Sequence, residues 1–205
     1  TLGCCSEDGI LSKSLGMNPF LPSLQIEKGK FEGIEFQFWK DTRRNFLFWI
    51  QIETNKTFEF LRNCQKSGFE LLGSRLFRFF RLEAGIPLAG MELSEKDIVL
   101  EGNFEEAIAR NKGCYPGQEV VERIFTYGQV NRKLQRVTLW GETQDFPAFP
   151  VVFSFQGKEV GELVSAEINP TQPEKGVGLM FVRKEFWTSQ EEWTSPQGLR
   201  AKLTI

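Results

Sequence analysis

Histidine is absent from all 205 residues, which removes whole reaction classes before any motif is considered. A Ser-His-Asp triad, a Cys-His dyad and any histidine-ligated zinc or iron site cannot be built within this chain. Proton transfer therefore falls to Asp, Glu, Lys, Tyr or a thiol. Cysteine is scarce as well: the four stand at positions 4, 5, 64 and 114, with no Cys-x-x-Cys pair and no zinc-like spacing. No metal site is expected. Cys4 and Cys5 are adjacent and poorly placed to bond each other, which points to a reducing compartment, the cytoplasm or, in a eukaryote, the mitochondrial matrix.

Long apolar runs are missing too. The longest strictly apolar stretch is Phe46 to Ile50, far short of the about 18 residues that mark a membrane span. The first residues, Thr1 to Leu11, lack the basic-then-apolar order of a signal peptide, so neither export nor a membrane partner is expected. With a formal charge of −2, no global positive field exists to hold phosphates, and direct nucleic-acid binding is not expected. No internal repeat or low-complexity tract is visible.

What is present is a 40 % apolar chain unusually rich in aromatics, with 20 phenylalanines and five tryptophans. That is enough for one large or two modest cores packed with bulky rings. Residues 1 to 30 show no firm period and read as loop with one short helix. Phe36 and Phe38, a polar turn at Asp41 to Arg44, and the alternation of Phe46, Phe48, Ile50 and Ile52 predict an antiparallel hairpin. Leu47 and Trp49 make the other face of its second strand apolar, as a central strand covered on both sides requires.

Asn55 or Thr57 opens a predicted helix to Lys66, with Phe58, Leu61 and Cys64 on one face and Gly68 as its stop; Cys64 reads as core. Ser74 opens another, with Leu76, Phe79, Phe80 and Glu83 sharing a face and Gly85 as its end. Asn103 and Glu106 have capping-box spacing for a short helix through Arg110. After about Asn131 short strands at 134–139, 151–155, 160–164, 177–182 and 199–205 predict a small antiparallel barrel or sandwich.

The segment most like a site is Lys112-Gly113-Cys114-Tyr115-Pro116-Gly117-Gln118-Glu119. A thiol reacts as the thiolate, and both the Lys112 ammonium and a following helix N-terminus favour that form at Cys114. Pro116 suits a first helical position, Glu119 and Glu122 a first turn, and Val120, Val121, Ile124 and Phe125 a buried helical face. The competing reading is that a free cysteine is a small buried hydrophobe. Gln118 and Glu119 either orient the thiol loop or cap the helix, and Tyr115 packs on a ligand ring or on the barrel.

Glu83 is the second residue of interest. An acid in the last helical turn meets the negative end of the dipole, a mismatch of about 0.3–1 kcal/mol, so another group must hold it there. An ion pair with Arg81 or Arg78 would do so. Arg75, Arg78 and Arg81 otherwise read as a solvated basic edge. Arg123, Arg132, Lys133 and Arg136 form a basic group able to meet an anionic ligand, or merely a surface.

The octapeptide with Val120-Val121-Glu122-Arg123 closely resembles the signature of the YgfZ family, folate-binding relatives of the glycine-cleavage T-protein that support iron-sulfur protein maturation. Arg81-Leu82-Glu83-Ala84-Gly85-Ile86-Pro87 with Gly90 and Glu92-Leu93 resembles a second family segment. Val160 to Ala166 is similar to its C-terminal barrel. The resemblance runs from about residue 75 to near the end and implies an α+β fold. Residues 1–132 would be a T-protein-like folate-binding portion, incomplete at its N-terminus, and 133–205 an antiparallel β-barrel. It implies tetrahydrofolate as cofactor, iron-sulfur client proteins, among them tRNA-modifying enzymes, as partners, and Cys114 as the reactive residue. A pterin offers a ring N–H beside an exocyclic amine, which a carboxylate accepts as a pair; the resemblance gives Glu83 that role, with Arg81 as its partner. Two rivals stand beside this reading: a folate-dependent aminomethyltransferase, whose essential aspartate has no match here, and a non-catalytic scaffold that docks a client.

Overall fold

The computed structural model describes residues 2–5, 15, 17, 25–40, 47–105, 108–109, 113–141, 146 and 148–204. The chain divides into two compact units, 1–73 and 74–205. The sequence-based boundary at 132 therefore lies inside the second.

The first unit is a four-stranded antiparallel sheet in the order β1-β4-β3-β2, formed by β1 (Leu2–Cys5), β2 (Ile26–Phe31), β3 (Ile34–Lys40) and β4 (Leu47–Gln51). Strand β4 is central, as its apolar faces predicted. The hairpin turn expected at 41–44 lies outside the described residues. The expectation of loop and helix over residues 1 to 30 is corrected by β1 and β2. Strand β2 is an edge carrying Ile26, Lys28 and Lys30 outward, so it lacks the apolar alternation by which a strand is recognised. What joins it to β3 is Glu32-Gly33, both at positive φ (48° and 82°), the two-residue turn whose twist suits a hairpin.

Helix α1 (Thr57–Lys66) covers this sheet with Phe60 and Cys64, which join Phe31, Ile34, Phe36, Phe38, Phe48 and Ile50 in the core. Phe60 meets Phe31 and Phe36 edge-on, with centroids 5.9 and 5.5 Å apart. The predicted face was rotated: Phe58 is 73 % exposed, with the Arg62 guanidinium 5.2 Å from its ring centre. Gly29 pairs with Phe36 across the strands, and a Cβ there would come within 2.4 Å of that ring. Glycine is what lets the ring lie over the edge strand.

The second unit centres on a closed antiparallel barrel in the order β10-β5-β8-β7-β6-β9. Its strands are β5 (Arg132–Trp140), β6 (Val151–Phe155), β7 (Lys158–Ile168), β8 (Lys175–Arg183), β9 (Trp193–Thr194) and β10 (Arg200–Leu203). Closure leaves no edge to protect. Alternation along β8 explains its near-total burial: Met180 and Val182 enter the barrel core with Val137, Leu163 and Trp193, while Val177, Leu179 and Phe181 face helix α2 (Ser74–Glu83). Helix α2 packs on β7 and β8 through Phe79 and Leu82, which are 5 % and 0 % exposed. Helix α3 (Gln118–Tyr127) follows the thiol loop.

Candidate functional site

The end of α2 is fixed by its backbone. Gly85 takes the left-handed conformation (φ 69°), its N–H reaches Leu82 O (2.9 Å) and the Ile86 N–H reaches Arg81 O (3.0 Å). This paired capping closes a helix around a C-terminal glycine. Arg81 then folds back over the turn. Its Nη1 donates to Ile86 O (2.6 Å) and Glu92 Oε2 (3.0 Å), and Nη2 donates to Glu92 Oε1 (2.6 Å). Glu92 also accepts from the Leu88 N–H (2.9 Å), and the Ser165 hydroxyl on β7 lies near enough to help lower its pKa.

Both charged partners are buried, at 3 % and 3 % exposure. Burial by itself would push the Glu92 carboxyl up. The Arg81 guanidinium, the Leu88 amide and Ser165 more than offset this and hold it below the ordinary carboxylate range. Arg81 thus pairs with Glu92, not with Glu83. Glu92 was the overlooked residue, although it stands in the same quoted segment as Arg81.

Glu83 is exposed, which corrects the expectation that it ends an apolar stripe. Among the described residues its carboxylate has no ion pair, while its backbone carbonyl accepts from Arg136 Nη1 on β5. Arg136, Gly85, Asn103, Leu134, Gln135, Leu179, Trp187, Leu203 and Thr204 line an open cavity of about 330 Å³. Asn103 stands at φ 59° and donates its amide to Leu134 O, so it is a left-handed wall residue and not the helix cap foreseen. Glu106 and Arg110 lie outside the described residues.

Arg75, Arg78, Arg123, Arg132 and Lys133 find acids nearby. Arg75 and Arg78 reach the buried Glu167 at 3.0 and 3.6 Å, so the expected solvated edge of α2 faces an acceptor on the barrel. Arg132 reaches Asp97 (2.7 Å) and Glu101 (3.3 Å) and covers the Phe181 ring at 4.3 Å. Lys133 pairs with Glu105 and Arg123 with Glu119, each at 3.1 Å. Of the four-residue basic group, Arg136 is the member with no carboxylate partner among the described residues.

Cys114 is exposed, so the buried-hydrophobe reading fails for it; Cys64 is the buried thiol, and burial raises its pKa. Tyr115 is half-buried and Gly113 exposed; Lys112 lies outside the described residues. Pro116 is not the first helical residue. Gln118 N donates to Tyr115 O (3.2 Å) and Gly117 sits at φ 83°, ψ −1°, a type II turn with proline and glycine at its two centres. Helix α3 starts after it, with Gly117 as a cap that offers no side-chain bond. Of its predicted buried face only Val121 is buried; Val120 is 52 % and Phe125 36 % exposed. Cys114 and Tyr115 do not line the Arg136 cavity. Among the described residues no group of acids and cysteines is arranged to hold a metal ion, and no helix is long and apolar enough to cross a membrane.

No protein-family model matches the chain. Over 94 residues (46 % of the chain) it is 34 % identical to a chloroplastic protein of Arabidopsis thaliana whose name gives it as a transferase. Over 122 residues (58 %) it is 31 % identical to the mitochondrial iron-sulfur cluster assembly factor IBA57 homologue of Dictyostelium discoideum. Over 91 residues (44 %) it is 33 % identical to the aminomethyltransferase of Moorella thermoacetica. The matches span 21 %, 26 % and 24 % of those proteins' own lengths. In architecture it is similar to the crystal structure of the glycine cleavage system aminomethyltransferase T from Bartonella henselae. The TM-score is 0.50 at 14 % identity, covering 98 % of this chain and 81 % of that one. The chain thus has a T-protein-like fold, mixed helix and strand with a closed six-stranded barrel, and its sequence is similar both to an aminomethyltransferase and to an iron-sulfur cluster assembly factor.

Proposed function

We propose that this chain belongs to a tetrahydrofolate-binding protein of the YgfZ type that assists iron-sulfur cluster assembly or repair in client enzymes, including tRNA-modifying ones. The observation that carries the reading is the exposed Glu83, whose carboxylate has no ion pair among the described residues and whose backbone carbonyl is bonded to Arg136, a lining residue of the cavity. Glu83 stands two residues before the wall glycine Gly85, and its carbonyl is tied to Arg136. A cavity of about 330 Å³ lies within the range of small-molecule sites. Its lining of one cation, two amides and an indole-bearing residue suits a flat, hydrogen-bonding ligand with an anionic end. Glu83 would accept the paired N–H donors of the pterin, with Arg136, bonded to the Glu83 carbonyl, beside it. Bound tetrahydrofolate supplies a carrier for one-carbon units; the chain's residues bind and orient it.

In this reading the T-protein-like portion, residues 1–132, contributes Glu83, Gly85 and Asn103, and the barrel of 133–205 contributes the rest of the cavity wall. Cys114 is the reactive thiol, displayed by the rigid Tyr115–Gln118 turn, with Gly113 and Gly117 shaping the backbone. Glu119 and Arg123 form the exposed pair on the helix that follows. The similarity to an iron-sulfur assembly factor supports the client class. A reducing compartment, cytoplasm or mitochondrial matrix, suits an exposed free thiol.

Two substitutions test the assignment. Glu83→Gln should weaken binding of 5-formyltetrahydrofolate, measured by calorimetry, because a neutral amide cannot accept both pterin donors; an unaltered Kd removes Glu83 from the site. Cys114→Ala, made in the full-length protein, should lower the activity of a radical iron-sulfur tRNA-modifying enzyme in cells. Unchanged client activity at normal protein levels takes the reactive role from Cys114. The similarity to an aminomethyltransferase keeps a second reading open to test: methylene transfer from a defined amine donor to tetrahydrofolate would place the chain in that enzyme class instead.

A further inference from the structure

The Arg81–Glu92 pair is an unusual way to end a helix. Burying two charges carries a desolvation cost that hydrophobic residues of similar volume would avoid, so such pairs are poor devices for stability alone. What a guanidinium-carboxylate fork does well is fix direction, because two parallel N–H···O bonds define a plane as well as a distance.

Here the fork ties three pieces together. Arg81 is in the last turn of α2 and bonds Ile86 O. Glu92 closes the 86–92 loop through the Leu88 N–H and lies beside Ser165 of β7. Between those anchors lie Glu83, whose carbonyl Arg136 holds from β5, and Gly85, which walls the cavity. Arg81 itself offers nothing to a ligand: both terminal nitrogens are engaged, and its Nε is enclosed without a partner.

We infer that Arg81 and Glu92 are a positioning pair for the ligand site, which set the Glu83–Gly85 wall against Arg136 without touching the ligand. The inference rests on the folate reading above and reassigns Arg81 from ligand contact to support. Such a support, when lost, typically costs about tenfold or more in affinity.

The decisive variant replaces both partners, Arg81→Leu with Glu92→Leu, in the full chain. Removing both charges leaves no orphan, so the fold is expected to keep its thermal midpoint. If the pair positions the wall, Kd for 5-formyltetrahydrofolate rises about tenfold or more, and amide hydrogen exchange quickens at residues 84–92 while barrel amides stay protected. A stable double variant with the wild-type Kd overturns the inference. Should that variant not fold, Arg81→Lys, which keeps the charge and loses the fork, is measured well below its own midpoint, and an unchanged Kd there overturns it equally. Glu83→Gln separates the two ideas: affinity lost there but kept in the pair variants removes the positioning role alone, whereas a wild-type chain that binds no folate removes the function and the role together.

Discussion

Helices α2 and α3 are both ten residues long and both amphipathic by sequence, yet they end in opposite circumstances. Helix α2 lies on the barrel with Phe79 and Leu82 buried, and its arginines reach Glu92 and Glu167. Helix α3 buries Val121 and leaves Val120, Phe125 and Tyr127 at 52 %, 36 % and 87 % exposure. A 3.6-residue period states which side chains share a face, and the partner surface decides whether that face is covered.

The contrast can be broken hardest at the buried pair. Glu92→Ala should destabilise the protein by about 3–5 kcal/mol in urea titration, since it strands the Arg81 charge out of water. Because the Glu92 carboxyl is held below its ordinary value of 4.5 in the folded state, its contribution is complete above that pH and is lost as pH falls through the lower folded value. Glu92→Gln should therefore flatten the acid limb of the stability profile; an unchanged limb would mean that the pair carries no linkage. Next in size, Leu82→Ala under α2 should cost about 2–5 kcal/mol by the same titration, as a fully buried leucine leaves a cavity. Smallest is Val120→Ser on α3, which should stay within about 0.5 kcal/mol of wild type. A larger loss there would show that the α3 face is covered in the folded chain, and the contrast between the helices would disappear.

Much of this architecture was legible. The ends of α1 and α2 follow from Gly68 and Gly85 because helix stops are local chemistry, whereas at the start of α1 the cap is Lys56, with no side-chain bond, and not Asn55 or Thr57. Five barrel strands follow from alternation and turn residues, while β9, two residues long, is too short to carry a period. Strand β2 escapes the sequence pattern because an edge strand with lysines outward does not alternate as a buried one does, and β1, four residues long, is too short to carry a period. At the site, the Pro-Gly pair suits a helix start as well as a type II turn, and the left-handed φ of Gly117 (83°) distinguishes them.

By itself the sequence determined what depends on neighbours along the chain: the absence of histidine chemistry, the helix stops and the presence of a thiol between Gly113 and Tyr115. Tertiary structure decided what depends on distance through space. It alone joined Arg81 to Glu92, sent Arg75 and Arg78 to Glu167, and put Arg136 on the cavity wall with no carboxylate partner among the described residues. The reason is physical: a charge answers to whichever opposite charge lies within a few ångströms, and that partner is set by how strands and helices pack, not by how many residues separate the two along the chain.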